Sequence, residues 1–322
     1  MAMFELFHNP NYDFIGRRKW AYIISILFIL TGFGSMVAKG GLRYGIDFSG
    51  GTLLQVRFDK PVPVDRIRHA LETVKMGESV IQEFGDTREY LLRLPLGGEA
   101  TPEEVNKQAL AALAREPELG APEVRRVEFV GPQVGRDLQI QAIYAVLWSM
   151  VGILAYIAIR FDMLGGLASV AAIVHDVLIC LSAMSLTNRE MSLPILAALL
   201  TIIGYSVNDT IVAYDRLREN RGKHSQKGMS FADQMNVAVN QTLSRTILTS
   251  LTVFFSAAIL LFFGGRTLQD FALVLFVGVI TGTYSTVYVA GALVVDWTQY
   301  VEGRLRARKK GMVKAGEPRK IT

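Results

Sequence analysis

Charge nearly vanishes from six stretches of the chain, near residues 20–38, 138–159, 164–186, 191–214, 246–263 and 271–297. Each is apolar over about 20 residues, the length at which an α-helix crosses a bilayer core. The spacing therefore predicts six transmembrane helices. Arg17, Arg18 and Lys19 precede the first, which runs 19 residues and is followed by five more. It reads as a retained helix rather than a cleaved leader. Between the first two spans the pattern changes to strand and helix signals in alternation. Residues 52–58, 80–84, 90–94 and 124–130 are β-rich, with a hairpin turn at 85–89. Residues 65–74 repeat apolar positions at helical spacing. Thr101-Pro102-Glu103-Glu104 opens a second helix that runs to about Arg115 with a capping-box pattern. The order β-α-β-β-α-β predicts a ferredoxin-like α+β domain inserted between helices 1 and 2.

Composition agrees with a membrane chain and excludes an ordinary soluble enzyme. Of 322 residues, 51% are apolar and 20% charged; a soluble domain carries about 25% charged residues. The single cysteine, Cys180, forms no internal disulfide or cysteine-based zinc site. His8, His69, His175 and His224 are scattered, with no metalloprotease spacing. No metal or cofactor is expected, and no enzymatic activity.

Basic residues in short loops set orientation. Three precede the first span, six lie between Asp215 and Arg245, and eight follow Glu302, whereas the opposite short loops carry only Arg189 and Arg266. Both termini are therefore expected in the cytoplasm. Residues 1–19 form the cytoplasmic N-terminus, 20–38 helix 1, 39–137 the extracytoplasmic domain, 138–297 helices 2–6 and 298–322 a basic cytoplasmic tail. Residues 39–137 are slightly acidic, so the net charge of +5 comes from the cytoplasmic side. It fits topology and contact with lipid headgroups. Nucleic-acid binding is not expected, because no aromatic interleaving accompanies it.

Ionisable groups inside spans cost about 2.5–3.5 kcal/mol on insertion scales and so mark functional candidates. Asp176 lies midway along the third span, Asp209 in the fourth, and Arg245 opens the fifth. Asp209 and Arg245 approach from the same side on antiparallel helices and are expected to pair. Separation of such a pair would favour proton uptake by the carboxylate. Tyr205 and Ser206 share a face with Asp209, Asn208 adjoins it, and Thr249, Thr252 and Ser256 continue the face of Arg245. An ion relay and a static structural pair both fit these residues. His175 or helix backbone could merely satisfy Asp176, and a His175-Asp176 hydrolase dyad is disfavoured because adjacent helical residues point about 100° apart. Asp215, Arg216, Arg218 and Glu219 read as helix-end anchors. Gly278-x-x-x-Gly282, with Ser285, Thr286 and Gly291, marks a face that packs on another helix. Gly50-Gly51 and Gly131-Pro132 suit tight turns where the chain enters and leaves the inserted domain.

These motifs together resemble the SecF family, the smaller membrane subunits of SecD–SecF protein-export complexes, themselves similar to resistance-nodulation-division transporters. The likeness rests on Gly45-Ile46-Asp47-Phe48-Ser49-Gly50-Gly51-Thr52, on Val127-Glu128-Phe129-Val130-Gly131-Pro132-Gln133-Val134-Gly135, on the run from Ile203 to Val212 continuing to Asp215-Arg216-Leu217-Arg218-Glu219-Asn220, on Ser244-Arg245-Thr246 with Thr249-Ser250, and on His175-Asp176-Val177. The resemblance implies a partner, SecD, and association with the SecYEG channel and YajC. It implies use of an ion gradient, as protons or sodium ions, to promote late steps of preprotein translocation across the cytoplasmic membrane. It places Asp209 and Arg245 on the proton pathway, completed by a SecD aspartate absent from this chain.

Two other readings compete with this one. A small-molecule or lipid exporter of the same superfamily would usually carry both six-span halves in one chain. A non-transporting scaffold would make Asp209 and Arg245 packing features only. An intramembrane enzyme fits least, since the spans show no Gly-x-Gly-Asp, no serine–histidine arrangement and no metal set.

Overall fold

A computed structural model describes residue 7 and residues 10–84, 86–94, 101–221 and 228–315. Gly85 of the expected hairpin, His8, Lys223, His224, Lys227 and residues 316–322 of the tail lie outside the described residues. Six helical segments are long and apolar enough to span a membrane. They are α1 (Arg18–Ala38), α5 (Pro132–Arg160), α6 (Met163–Leu186), α7 (Leu193–Arg221), α8 (Phe231–Phe263) and a sixth over Leu268–Leu305. The sixth comprises α9 (Gly265–Ser285), one π-helical turn (Thr286–Ala290) and the start of α10 (Gly291–Ala315). All six expected spans are present. The helices outrun the apolar stretches because polar ends can continue a helix in water. The largest difference is α8. Ser230 caps it, its hydroxyl accepting from Asp233 N at 3.1 Å. Arg245 therefore sits about four turns inside a helix that it was expected to open.

Between α1 and α5 lie a short helix α2 (Ile46–Ser49), which the sequence pattern did not reveal, then β1 (Gly51–Arg57), α3 (Val64–Glu72), β2 (Val80–Phe84), β3 (Asp86–Leu94), α4 (Pro102–Arg115) and β4 (Glu123–Val130). The sheet runs β2-β3-β1-β4 with every neighbouring pair antiparallel. Leu54 faces Leu92 on one side and Val127 on the other. Period-2 alternation thus puts Leu54, Val56, Tyr90, Leu92 and Leu94 on one sheet face, where they close a core with Ile67 and Leu71 of α3 and Ala109 and Leu113 of α4. Thr101 caps α4 in a reciprocal box with Glu104, as its spacing predicts.

Entry into the sheet needs glycine at two successive positions. Gly50 and Gly51 have φ of 74° and 143°, and a Cβ on Gly51 would lie 2.8 Å from the Leu94 carbonyl oxygen. Only glycine meets both demands at low cost. The sheet domain is also tied to the α6–α7 turn. Gly45 N donates to Met191 O (2.8 Å), Met191 N to Arg43 O (2.7 Å), and Arg93 pairs with Glu190 at 2.5 Å. Asp47 accepts from Leu193 N at 2.9 Å, so a carboxylate of the Gly45–Thr52 motif sits on the N-terminus of α7.

Candidate functional site

Helix α7 carries the central carboxylate. Its i, i+3, i+4 rows place Ser206, Asp209 and Thr210 toward the bundle interior, each buried. Asp209 is 3% exposed. Its Oδ1 receives a long contact from Asn208 Nδ2 at 3.5 Å, and its Oδ2 is buried without a hydrogen-bond partner. A buried carboxylate oxygen left open is costly and uncommon, so it marks the group with capacity to take a proton or cation. The expected Asp209–Arg245 ion pair is not formed. No ion pair to Asp209 occurs among the described residues, and Arg245 is exposed. Arg245 instead borders the cavity that Asn208 also lines, and its charge reaches Asp209 from beyond ion-pair distance. Thr249, Thr252 and Ser256 follow the face of Arg245 and donate to carbonyls of α8 itself. Thr249 also lies within hydrogen-bonding reach of Tyr205 on α7.

Tyr205 turns toward α8, where its hydroxyl donates to Ser250 Oγ at 3.2 Å; Thr283 of α9 donates to the same oxygen at 2.6 Å. Ser250 and Thr283 thus adjoin the candidate residues, although the sequence singled out neither for this role. On the other side of Asp209, Arg245, Asn208, Thr249 and Asp215 line a cavity of 1210 Å³ that the N-terminal segment also borders through Pro10 and Asn11. That segment is pinned to α8: Tyr12 N donates to Asn240 Oδ1 at 2.8 Å and Phe14 N to Asn236 Oδ1 at 2.9 Å.

Asp176 is a different kind of carboxylate. It is 1% exposed and fully engaged. Ser206 of α7 donates to Oδ2 at 2.6 Å and Ser285 of α9 at 2.8 Å, while His175 Nδ1 lies 2.9 Å from Oδ1. The π-helical turn begins directly after Ser285. His175 thus helps to satisfy Asp176, one of the alternatives the sequence left open: the imidazole and carboxylate bend toward each other across the roughly 100° between their Cα–Cβ directions. It also supplies a serine–histidine contact that the sequence did not reveal, because Ser25 of α1 lies 150 positions away. Ser25, His175 and Asp176 line up like a hydrolase triad, yet Ser25 and Asp176 are buried and Ser25 also contacts the Tyr284 hydroxyl. Such packing leaves no room for a substrate carbonyl beside the serine.

Asp215 pairs with Arg160 at 3.2 Å and Arg216 with Glu219 at 3.0 Å at the end of α7, as helix-end anchors would. Gly278 faces Ile202, and Gly282 faces Ser206, both on α7. Among the described residues no cluster of three metal-ligating side chains occurs.

Comparison with known proteins places these features in a family. Residues 111–300 match "Protein export membrane protein SecD/SecF, C-terminal", and residues 35–62 match the "SecD/SecF GG Motif". The chain is 43% identical over 297 residues to protein translocase subunit SecF of Calditerrivibrio nitroreducens, covering 91% of this chain and 97% of that one. It is 40% identical to SecF of Vibrio alginolyticus, covering 87% and 88%. The crystal structure of SecDF from Thermus thermophilus, a translocon-associated membrane protein, superposes with a TM-score of 0.76 at 40% identity. That match covers 90% of this chain and 39% of the SecDF chain, so this chain spans about two-fifths of that protein. A second SecDF structure, in a super-membrane-facing form, gives 0.70 at 38% identity. With six apolar helices, the paired-glycine entry to the sheet and identity sustained along nearly its whole length, the chain is a multi-pass membrane protein that belongs to the SecF family of protein translocase subunits.

Proposed function

We propose that the chain works with SecD, in association with SecYEG and YajC, to promote preprotein translocation across the bacterial cytoplasmic membrane at the expense of an ion gradient. Both termini face the cytoplasm in this reading, and the sheet domain is a ferredoxin-like unit on the outer side, because the short loops rich in Lys and Arg lie at the opposite ends of the spans. The observation that carries it is Asp209, buried within a span with one oxygen open. Asp209 takes and gives the ion, and Arg245, lining the cavity beside Asn208, senses its charge. Tyr205, Ser206, Asn208 and Thr249 form the supporting polar face. Asp176 stands beside this path as part of the relay network, joined to it through Ser206, one turn from Asp209 on α7. One charge crossing the field gains about 2.3 kcal/mol per 100 mV. A few ions per cycle would suffice to rock a packed domain. The tie between the sheet and the first residues of α7 gives motion of that helix a mechanical output. The chain matches only 39% of the SecDF relative, which supports a SecD partner supplying the remaining carboxylate.

Inverted vesicles containing this chain, SecD and SecYEG test it, with and without an imposed ion gradient. Gradient-dependent stimulation of translocation is expected in wild type and lost in Asp209→Asn with SecD binding retained. Equal stimulation in both would reduce Asp209 to a structural role.

A further inference from the structure

The chain of contacts through His175 has a proton count that depends on its ionisation. From Asp176 it runs Asp176 Oδ1–His175 Nδ1 (2.9 Å), His175 Nε2–Ser25 Oγ (2.8 Å), Ser25 Oγ–Tyr284 OH (3.1 Å) and Tyr284 OH–Ala21 O (2.6 Å). Each of these four contacts needs one proton. Tyr284 has one, and it goes to the Ala21 carbonyl, which can only accept. Ser25 has one, to give either to His175 or to Tyr284. A neutral imidazole has one. Three protons then serve four contacts, and one pair of oxygen or nitrogen lone pairs is left facing another. An additional proton on the ring fills every contact: Nδ1–H donates to Asp176, Nε2–H to Ser25, Ser25 to Tyr284 and Tyr284 to Ala21. Ser206 and Ser285 already donate to the other oxygen of Asp176, which favours leaving the negative charge there.

We infer that His175 and Asp176 form a second proton-binding site within the bundle, distinct from Asp209, that is filled when His175 is an imidazolium paired with the Asp176 carboxylate. The ionisable side chains packed nearest it are tyrosines and a thiol, with the Asp296 carboxylate behind Tyr22. Tyr284 stacks on the His175 ring (centroids 6.1 Å, 29°), Tyr288 lies against Tyr284, and Tyr22 of α1 is engaged with Asp296. Cys180 follows one turn on along α6. No lysine or arginine makes an ion pair with Asp176 among the described residues, so the charge of His175 is the counter-ion. Filling the site completes the His175–Ser25–Tyr284 run, of which the empty site lacks one hydrogen bond, and so ties α1 more firmly to α6 and α9. It also stiffens the anchor into which Ser206 of α7 donates. Proton occupancy here thereby sets how tightly α1, α6, α7 and α9 are held around Asp209. The proton count stands on geometry alone; only the link to transport rests on the ion-driven reading.

The experiment is nitrogen-15 NMR of the histidine-labelled full chain, reconstituted in lipid with SecD, from about pH 5 to about pH 9. His175 is identified by its absence from the His175→Gln spectrum. Both ring nitrogens should be protonated at the acid end, and one should lose its proton as the pH rises. In Tyr284→Phe, Ser25 can donate to a neutral ring with no contact left empty. The pH dependence of the two ring nitrogens should then differ from that of the wild type. A ring with a single protonation state throughout, or the same transition in Tyr284→Phe, would overturn the inference. Asp209→Asn separates the two readings. If its His175 transition persists while wild-type vesicles show no gradient-driven stimulation, the relay fails and the second site stands. If stimulation is lost in Asp209→Asn but wild-type His175 never changes state, the second site fails alone.

Discussion

At the scale of single residues, the two buried aspartates separate by what they touch. Asp176 is held by two serine hydroxyls and a histidine, so its carboxylate is part of the packing of four helices. Asp209 has one long contact and an open oxygen, so little of the fold depends on its charge. Replacement by asparagine should tell them apart in opposite ways. Asp176→Asn replaces the charged oxygen to which two serines donate by a neutral amide oxygen and should cost about 1–3 kcal/mol, read as a clear fall in the thermal midpoint of the detergent-solubilised protein. Asp209→Asn should leave that midpoint nearly unchanged while gradient-dependent stimulation disappears. An unaltered midpoint in Asp176→Asn would mean that its hydrogen bonds contribute little.

At the scale of elements, close approach of helices is decided by single small side chains. A Cβ on Gly32 of α1 would fall 2.1 Å from Ser182 Cβ and 2.5 Å from its Cα on α6. Backbone cannot yield as a flexible side chain would, so α1 would have to move. Gly32→Ala should therefore destabilise by roughly 1–3 kcal/mol through overpacking. Gly34 faces open space, and Gly34→Ala should be nearly neutral. Parallel thermal scans of the two variants check this, and equal effects would contradict the α1–α6 crossing. The same crossing brings Ser25 to His175.

At the scale of the whole molecule, the join between the sheet domain and the α6–α7 turn carries any coupling between them. Arg93 and Glu190 are partly buried, so reversing one charge leaves two like charges together. Glu190→Arg or Arg93→Glu alone should lower translocation stimulation several-fold with SecD binding retained. Both together should recover much of it; recovery should be incomplete because Arg43 and Arg189 border the same cavity and crowd a cation at 190. Activity in either single variant equal to wild type would show that this join transmits nothing.

What the sequence by itself determined followed from short-range rules. Runs of about 20 apolar residues need the bilayer's width, so six spans were legible, with helix ends up to about eight residues out, except at the start of α8, which begins at Phe231 rather than near residue 246. Period-2 and period-3.6 patterns, with the Thr101–Glu104 box, placed the four strands and two of the helices between spans one and two. The cost of charge in apolar stretches singled out Asp176, Asp209 and Arg245. Which of them touch was decided only in three dimensions. A helix rotates its neighbours by about 100° per residue, so the packing of α7 on α8 left Arg245 exposed and beyond ion-pair distance of Asp209 among the described residues. Ser25, Ser250, Thr283 and Tyr284 carry no local signal, since serine, threonine and tyrosine are ordinary in helices. Their part in the site comes from contacts across 33 to 259 positions, which only the folded bundle brings within hydrogen-bonding distance.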